Sequence, residues 1–142
     1  EIAQCLVGSE MCIRDSLECT VTGAKDLDTA IIVAKSVICS PLFKCAMFGA
    51  DANWGRILCA VGYAEADFDI NKVDVSLSSK AGEIHVCHNG AGIEFSEEVA
   101  KTVLLEDEIT ISVSIGDGNG TATAWGCDLT YDYVKINGDY RS

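Results

Sequence analysis

The sequence predicts an α+β domain in which two β-hairpins form a sheet that helices cover. Apolar residues recur at helical spacing in two early segments, 27–38 and 54–63. Apolar and polar residues alternate along 73–78 and 109–115, which is the period of a half-buried strand. A chain of 142 residues has the length of one domain with a substantial core.

The first elements are predicted to be a short strand and a helix. A β-prone stretch at 19–22 ends at Gly23. Asp26 suits the N-cap of a helix over 27–38, and the Ser-Pro pair at 40–41 is expected to end that helix.

The next segment predicts a short strand over 44–48 and a second helix over 54–63. The helix is expected because its apolar residues share one face, and Asp51 or Asn53 can cap its start.

The next elements are predicted to be a first hairpin and a short helix. Strand 73–78 turns into strand 83–88 through residues 80–82, and Ser96 then caps a short helix.

The last elements are a second hairpin and a final helix. Strand 109–115 is expected to join a partner over 121–126 through the glycine-rich residues 116–120. Asp128 is the expected cap of a helix over 129–136.

Charge and cysteine content narrow the class of protein. The formal net charge is −12, from 22 acidic and 10 basic residues, and no basic cluster offers a surface for nucleic acid or an anionic membrane. Several of the eight cysteines stand within apolar helical or strand patterns and none forms a CxxC pair, so we expect reduced, mostly buried thiols. With no apolar run near ~18 residues and no basic leader, a cytoplasmic protein is expected.

The histidines and the glycine-rich run give little evidence for chemistry. His85 and His88 lie on one hairpin arm, so a histidine-based triad is not expected. His85 and Cys87 on one strand face could be part of a metal site, but an exposed hairpin arm is the preferred interpretation and no metal is predicted. Residues 116–120 resemble a phosphate loop only in composition, and we interpret them as a hairpin turn whose glycines supply positive φ.

The run DANWGR at 51–56 is dense in polar and aromatic groups, and two interpretations stay open. Arg56, with Asn53 beside it, could hold a substrate carboxylate in a bidentate fork. Alternatively, Trp54 belongs to the core and Arg56 stabilises the conformation of the loop. This structural interpretation is the favoured one.

A set of motifs in fixed order connects this chain with a known family. They are VTGAK at 21–25, SP at 40–41, DANWGRI at 51–57, AVGY at 60–63, TAWGCDLT at 123–130 and YVKINGDYRS at 133–142. Over about residues 17–142 the chain resembles the ornithine acetyltransferases, the bifunctional glutamate N-acetyltransferases of arginine biosynthesis.

The resemblance implies the C-terminal domain of a self-cleaving fold whose nucleophile is an N-terminal threonine. Autocatalytic cleavage gives α and β chains that assemble as a heterotetramer, and this chain matches the C-terminal part of the β chain. The implied reaction transfers acetyl from N-acetylornithine to glutamate, without an organic cofactor or metal. Members that also use acetyl-CoA would look alike here.

Site residues follow from the same resemblance. Asn137 and Ser142 match the family's substrate-binding positions, whereas Ala52 and Gly138 stand where proline and alanine are usual. The nucleophilic threonine, the oxyanion-hole donors and a substrate-binding glutamate have no counterpart, so no catalytic residue is assigned and the chain alone is expected to be inactive. The rival hypothesis is a free-standing α+β module that binds an amino acid or mediates subunit association.

Residues 1–16 are set apart from this pattern. The run CLVGSEMCIRDS at 5–16 has no helical or strand period and resembles translated sequencing-adapter DNA. We therefore expect residues 1–16 to be non-native and the acetyltransferase domain to cover 17–142.

Overall fold

The structure is a computed structural model that describes residues 2–4 and 16–140. The strands are β1 (Ile2–Gln4), β2 (Ser16–Ala24), β3 (Asp74–Ser79), β4 (Gly82–His88), β5 (Ala91–Gly92), β6 (Glu108–Ser114) and β7 (Gly120–Cys127). The helices are α1 (Leu27–Ile38), α2 (Pro41–Phe48), α3 (Trp54–Gly62), α4 (Glu97–Leu104) and α5 (Tyr131–Asp139), with a 3-10 turn at Ile70–Lys72.

The described strands form one mixed sheet in the order β1-β7-β2-β6-β3-β4-β5. The α+β class is confirmed, and so is the first hairpin, because β3 and β4 pair in antiparallel fashion. β2 is an inner strand that pairs in parallel with β6 and in antiparallel with β7. Opposite Cys19, for example, stand Ile111 on one side and Ala124 on the other.

The predicted second hairpin is wrong, because β2 lies between β6 and β7. Leu17, Cys19 and Val21 of β2 are fully buried, so β2 gains more burial as an inner strand than it would at an edge. The connection over 115–119 is long enough to cross one intervening strand, since adjacent strands lie only ~4.8 Å apart.

The core lies between one sheet face and the helices. α1 packs against β2 and β7, and α4 packs against β3 and β4, while α3 and α2 extend the helical layer beside α1. Alternate residues of the strands point into this core, among them Val75, Leu77, Ile109, Ile111 and Val113. The other face carries small hydroxyl side chains, and there the hydroxyl of Thr20 lies 3.1 Å from that of Thr123.

Helix α2 replaces the strand expected over 44–48. Ser40 caps α2 by accepting a hydrogen bond from the N–H of Phe43 at 3.4 Å, and Pro41 occupies the first helical position. Proline is favoured there because its fixed φ suits a helix and its missing N–H is not needed. The Ser-Pro pair therefore begins a helix as well as following one.

The other helix boundaries follow local capping. The expected N-caps Asp26, Asn53 and Ser96 are confirmed. The cap expected at Asp128 is wrong, because α5 begins later and the hydroxyl of Thr130 accepts from the N–H of Tyr133 at 3.1 Å.

The cysteines depart from expectation in two ways. Cys19 and Cys87 are buried thiols as expected, but Cys45 and Cys59 are exposed. Cys39 is disulfide-bonded, so the expectation of uniformly reduced cysteines is wrong.

No single helix within the described ranges is long and apolar enough to cross a membrane. Helices α1 and α2 meet that test only as a pair, by length and composition, and they are bent by 57° at the break between them.

Candidate functional site

The DANWGR run forms the connection between α2 and α3. The Oδ1 of Asn53 accepts a hydrogen bond from the N–H of Arg56 at 3.1 Å, which makes Asn53 the N-cap of α3. Its Nδ2 donates to Oδ2 of Asp51 at 3.0 Å. Both ends of the Asn53 amide are thus used within the loop, and they set where α3 begins.

Arg56 joins the two helices. Its Nη1 donates to the backbone oxygen of Leu42, in the first turn of α2, at 3.0 Å. The side chain is half-buried, and it forms no ion pair with any carboxylate in the described part of the chain. A guanidinium has five N–H donors, so this single bond leaves donors for another partner.

Trp54 is not a core residue, contrary to the structural interpretation of this run. It is 36% exposed, and its ring lies against the backbone of Gly92 in β5. A Cβ at position 92 would lie 2.3 Å from the Cε2 of Trp54, so only glycine allows the ring to approach this closely.

A groove of about 430 Å³ lies between α2 and α3. Its mainly apolar lining includes Ser40, Leu42, Asn53, Arg56, Cys59 and Tyr63. The structure therefore brings Asn53 and Arg56 together at one cavity. Sequence reasoning missed Cys59 and Tyr63, although their spacing from Arg56 places them on the same side of α3.

Of the two C-terminal candidates, the structure describes Asn137, which is not part of the groove lining. Asn137 is exposed on α5, and its Nδ2 donates to the backbone oxygen of Tyr133 at 2.8 Å. Ser142 lies outside the described residues. None of the residues described in α5 is buried, and its aromatic contact is an edge-to-face pair of Tyr131 with Phe48 at 5.2 Å.

The hairpin arm does not gather metal ligands. The pairing of β3 with β4 skips Val86, so this bulge leaves His85 exposed and Cys87 buried, on opposite sides of the strand. Nδ1 of His88 lies 2.9 Å from Oδ1 of Asp74. No group of three or more potential metal ligands occurs within the described ranges.

The glycine-rich loop over 116–120 crosses the end of β2 to connect β6 with β7. The N–H of Gly118 donates to the oxygen of Gly23 at 3.0 Å, and a Cβ at 118 would lie 2.0 Å from the oxygen of Ala24. Within 116–120 only Gly116 has positive φ, so the main reason for the glycines is close contact with the backbone of β2 rather than positive φ.

The chain matches known proteins over most of its length. A family model described as the ArgJ family matches residues 1–142. The chain belongs to the ArgJ family. The resemblance drawn from the motifs is confirmed.

ArgJ relatives in several organisms match most of the chain. It is 55% identical over 126 residues to the arginine biosynthesis bifunctional protein ArgJ of Caldanaerobacter subterraneus, covering 89% of this chain and 31% of that protein. It is 42% identical over 127 residues to the glutamate N-acetyltransferase of Methanosarcina mazei, covering 89% and 32%. The crystal structure of the ArgJ bifunctional protein from Bacillus halodurans matches with a TM-score of 0.82 and 45% identity, covering 89% of this chain and 58% of that one.

The chain spans about a third of the length of these curated ArgJ relatives. Cys19 is not an activated thiol, because burial, followed by the nearby Glu18 carboxylate, raises its pKa to about 12. A thiol with so high a pKa is almost entirely protonated at neutral pH and is a poor nucleophile.

Proposed function

We propose that this chain is the C-terminal part of the β chain of an acetyltransferase that moves acetyl from N-acetylornithine to glutamate in arginine biosynthesis. The observation that carries the proposal is 55% identity over 126 residues to a protein named arginine biosynthesis bifunctional protein. Use of acetyl-CoA as a second donor is compatible with that name. We further propose a cytoplasmic location, where amino-acid biosynthesis takes place.

In the reaction proposed for the whole enzyme, the nucleophile belongs to a part of the protein outside this chain. The N-terminal threonine of the family attacks the acetyl carbonyl of N-acetylornithine, ornithine leaves, and the amine of glutamate then takes the acetyl group. No catalytic residue is assigned to this chain, and no organic cofactor or metal takes part. Its proposed role is to supply substrate contacts and scaffold, so the chain alone should be inactive.

Asn137 and Ser142 are the proposed substrate contacts. The amide nitrogen of Asn137 is engaged by Tyr133, but its Oδ1 has no partner within the described part of the chain. An exposed amide oxygen can accept a hydrogen bond from the ammonium group of an amino-acid substrate. Asn53 and Arg56 are proposed to structure the α2–α3 loop, on the hydrogen bonds that they make there.

The proposed partners are the α chain and the rest of the β chain, assembled as a heterotetramer. Support comes from α5, which exposes large side chains with no covering layer among the described residues. They are Tyr131, Val134 and Ile136, exposed by 82%, 58% and 43%, and the C-cap Tyr140, exposed by 78%. A helix with such a surface is typically covered by a further part of the protein.

A chimera tests the function and the Asn137 contact together. Residues 17–142 would replace the matching segment of the Caldanaerobacter protein, and acetylation of glutamate by N-acetylornithine would be measured. We expect turnover, and the variant Asn137→Ala should raise the KM for N-acetylornithine by roughly tenfold or more. The matched control is Lys135→Ala, since residues two apart lie on opposite sides of a helix. Equal kinetics for both variants would refute the role of Asn137.

We also propose that residues 1–16 are not native to this protein. The curated relatives align over 126 or 127 of the 142 residues, although the family model extends over 1–142. Resequencing the source DNA through codons 1–17 and several hundred bases upstream tests this. A family reading frame that continues upstream from Leu17 is expected, whereas recovery of the present codons 1–16 would contradict the proposal.

A further inference from the structure

We propose that the groove between α2 and α3 binds a small organic carboxylate with an apolar chain. Asn137, the proposed substrate contact on α5, is not part of the groove lining, and the proposal does not rest on acetyl transfer. Three properties of the groove support this proposal. They are the size of the cavity, the apolar side chains that line it, and the lack of a carboxylate partner for Arg56 among the described residues.

The cavity has the size and walls of a small-molecule site. Its volume of about 430 Å³ falls within the range of ~300–1,000 Å³ that is common for ligand pockets. Leu42 and Tyr63 line it and are 60% and 79% exposed, which leaves apolar surface in contact with water. A ligand with an apolar chain would remove part of that surface from water.

Arg56 gives the groove a positive charge without a counterion. In a chain of net charge −12, this arginine has no carboxylate within ion-pair distance among the described residues, and the oxygen of Leu42 engages only one of its donors. It also lies in the first turn of α3, where the helix dipole disfavours a cation and favours an anion. An anion beside Arg56 would therefore meet complementary charge.

A carboxylate is the anion that fits best. The groove offers one guanidinium within mainly apolar walls, which matches a single charge that accepts two parallel N–H bonds. A phosphate group carries up to two negative charges, whereas Arg56 is the one cationic side chain among the lining residues that the structure describes. The ligand class is therefore a monocarboxylate with a short apolar chain.

Thiol protection provides a direct binding test. Cys59 lines the groove, while Cys45 is also exposed but is not part of the lining. The full chain would be alkylated with iodoacetamide in the presence of hexanoate, hexylamine or hexanol, and both cysteines followed by peptide mass spectrometry. We expect hexanoate to slow the alkylation of Cys59 saturably and to leave Cys45 unchanged. Equal protection by hexylamine, or none by hexanoate, would overturn the proposal.

Variants test the charge and the cavity separately. Arg56→Met should weaken the binding of hexanoate by about tenfold to a hundredfold, measured by calorimetry, because it removes a charge-assisted contact. Since Arg56 also bonds to Leu42, Cys59→Phe is a second variant that fills the groove without touching that bond, and it should abolish binding. Cys45→Phe is its matched control and should bind as the parent chain does. Unchanged binding in a folded Cys59→Phe variant would place the ligand elsewhere.

Discussion

The N–H of Gly118 donates to the backbone oxygen of Gly23 at 3.0 Å, and this hydrogen bond holds the 116–120 loop against the end of β2. Just before it, the N–H of Ile115 donates to the oxygen of Thr22, also at 3.0 Å. These two bonds hold the crossing that allows β2 to lie between β6 and β7.

Substitution of Gly118 by alanine should destabilise the fold. The added Cβ would lie 2.0 Å from the oxygen of Ala24. Moving the loop or the end of β2 apart to relieve this clash would break the hydrogen bonds that join the two segments. We expect the free energy of unfolding to fall by about 2–3 kcal/mol in urea denaturation.

The matched control for this prediction is Gly62→Ala. Gly62 is the last residue of α3, and a Cβ there meets nothing within 4 Å. Its effect should be neutral or stabilising by up to ~1 kcal/mol, since alanine is the better helix former. If both variants lose equal stability, close backbone contact is not the reason for Gly118.

Loss of the α3 cap should cost a moderate amount of stability. Asn53→Ala removes the acceptor for the N–H of Arg56, and we expect the free energy of unfolding to fall by ~1 kcal/mol. Asn53→Asp keeps an acceptor at the cap and should retain most of the stability. An alanine variant as stable as the aspartate variant in the same urea titration would contradict the capping role.

The cap of α1 should make stability depend on pH in the acid range. Hydrogen bonds from the Thr29 side chain and then from its backbone N–H lower the pKa of Asp26 from its ordinary value of 3.8. Because the folded pKa is the lower one, the contribution is fully present above the unfolded pKa and is lost as the pH falls through the folded pKa.

Urea denaturation of the parent chain and Asp26→Asn at several pH values below 5 would measure this contribution. The stability difference between the two should shrink as the solution becomes more acidic, because only the parent titrates at this site. A difference that stays constant down to pH 2 would show that the Asp26 carboxylate does not contribute in this way.

Thiol reactivity should separate the buried and exposed cysteines. With a pKa of about 12, the Cys19 thiol has roughly one thiolate in ten thousand at pH 8, and its side chain is fully buried. Cys45 and Cys59 are exposed and should react first. Mass spectrometry after brief alkylation of the native chain would show this order, and early modification of Cys19 would contradict the burial of β2.

Local features of the fold could be predicted from sequence, whereas strand partners could not. The caps at Asp26, Asn53 and Ser96 depend on residues three positions away, so they are visible in a short window. The period of 109–115 identifies β6 as a strand but says nothing of its neighbours. Its pairing with β2 joins residues about ninety positions apart, and the glycine-rich loop has the composition of an ordinary hairpin turn.

Short apolar runs and cavities were also beyond sequence reasoning. Residues 44–48 are compatible with strand or helix by period alone, and a Ser-Pro pair can follow one helix as well as begin the next. Asn53 and Arg56 are recognisable from the sequence because polar groups are dense in the DANWGR run. Leu42 and Tyr63 carry no such signal in the sequence, because only the packing of α2 against α3 places them around a cavity.

The most direct test compares acetyl transfer by the isolated chain with that by the chimera that carries residues 17–142 in the matching segment of the Caldanaerobacter protein. With N-acetylornithine and glutamate as substrates, we expect no N-acetylglutamate from the isolated chain and clear turnover by the chimera. A folded, inactive chimera beside an active parent protein, or turnover by the isolated chain, would contradict the proposal that this chain is the C-terminal part of such an acetyltransferase.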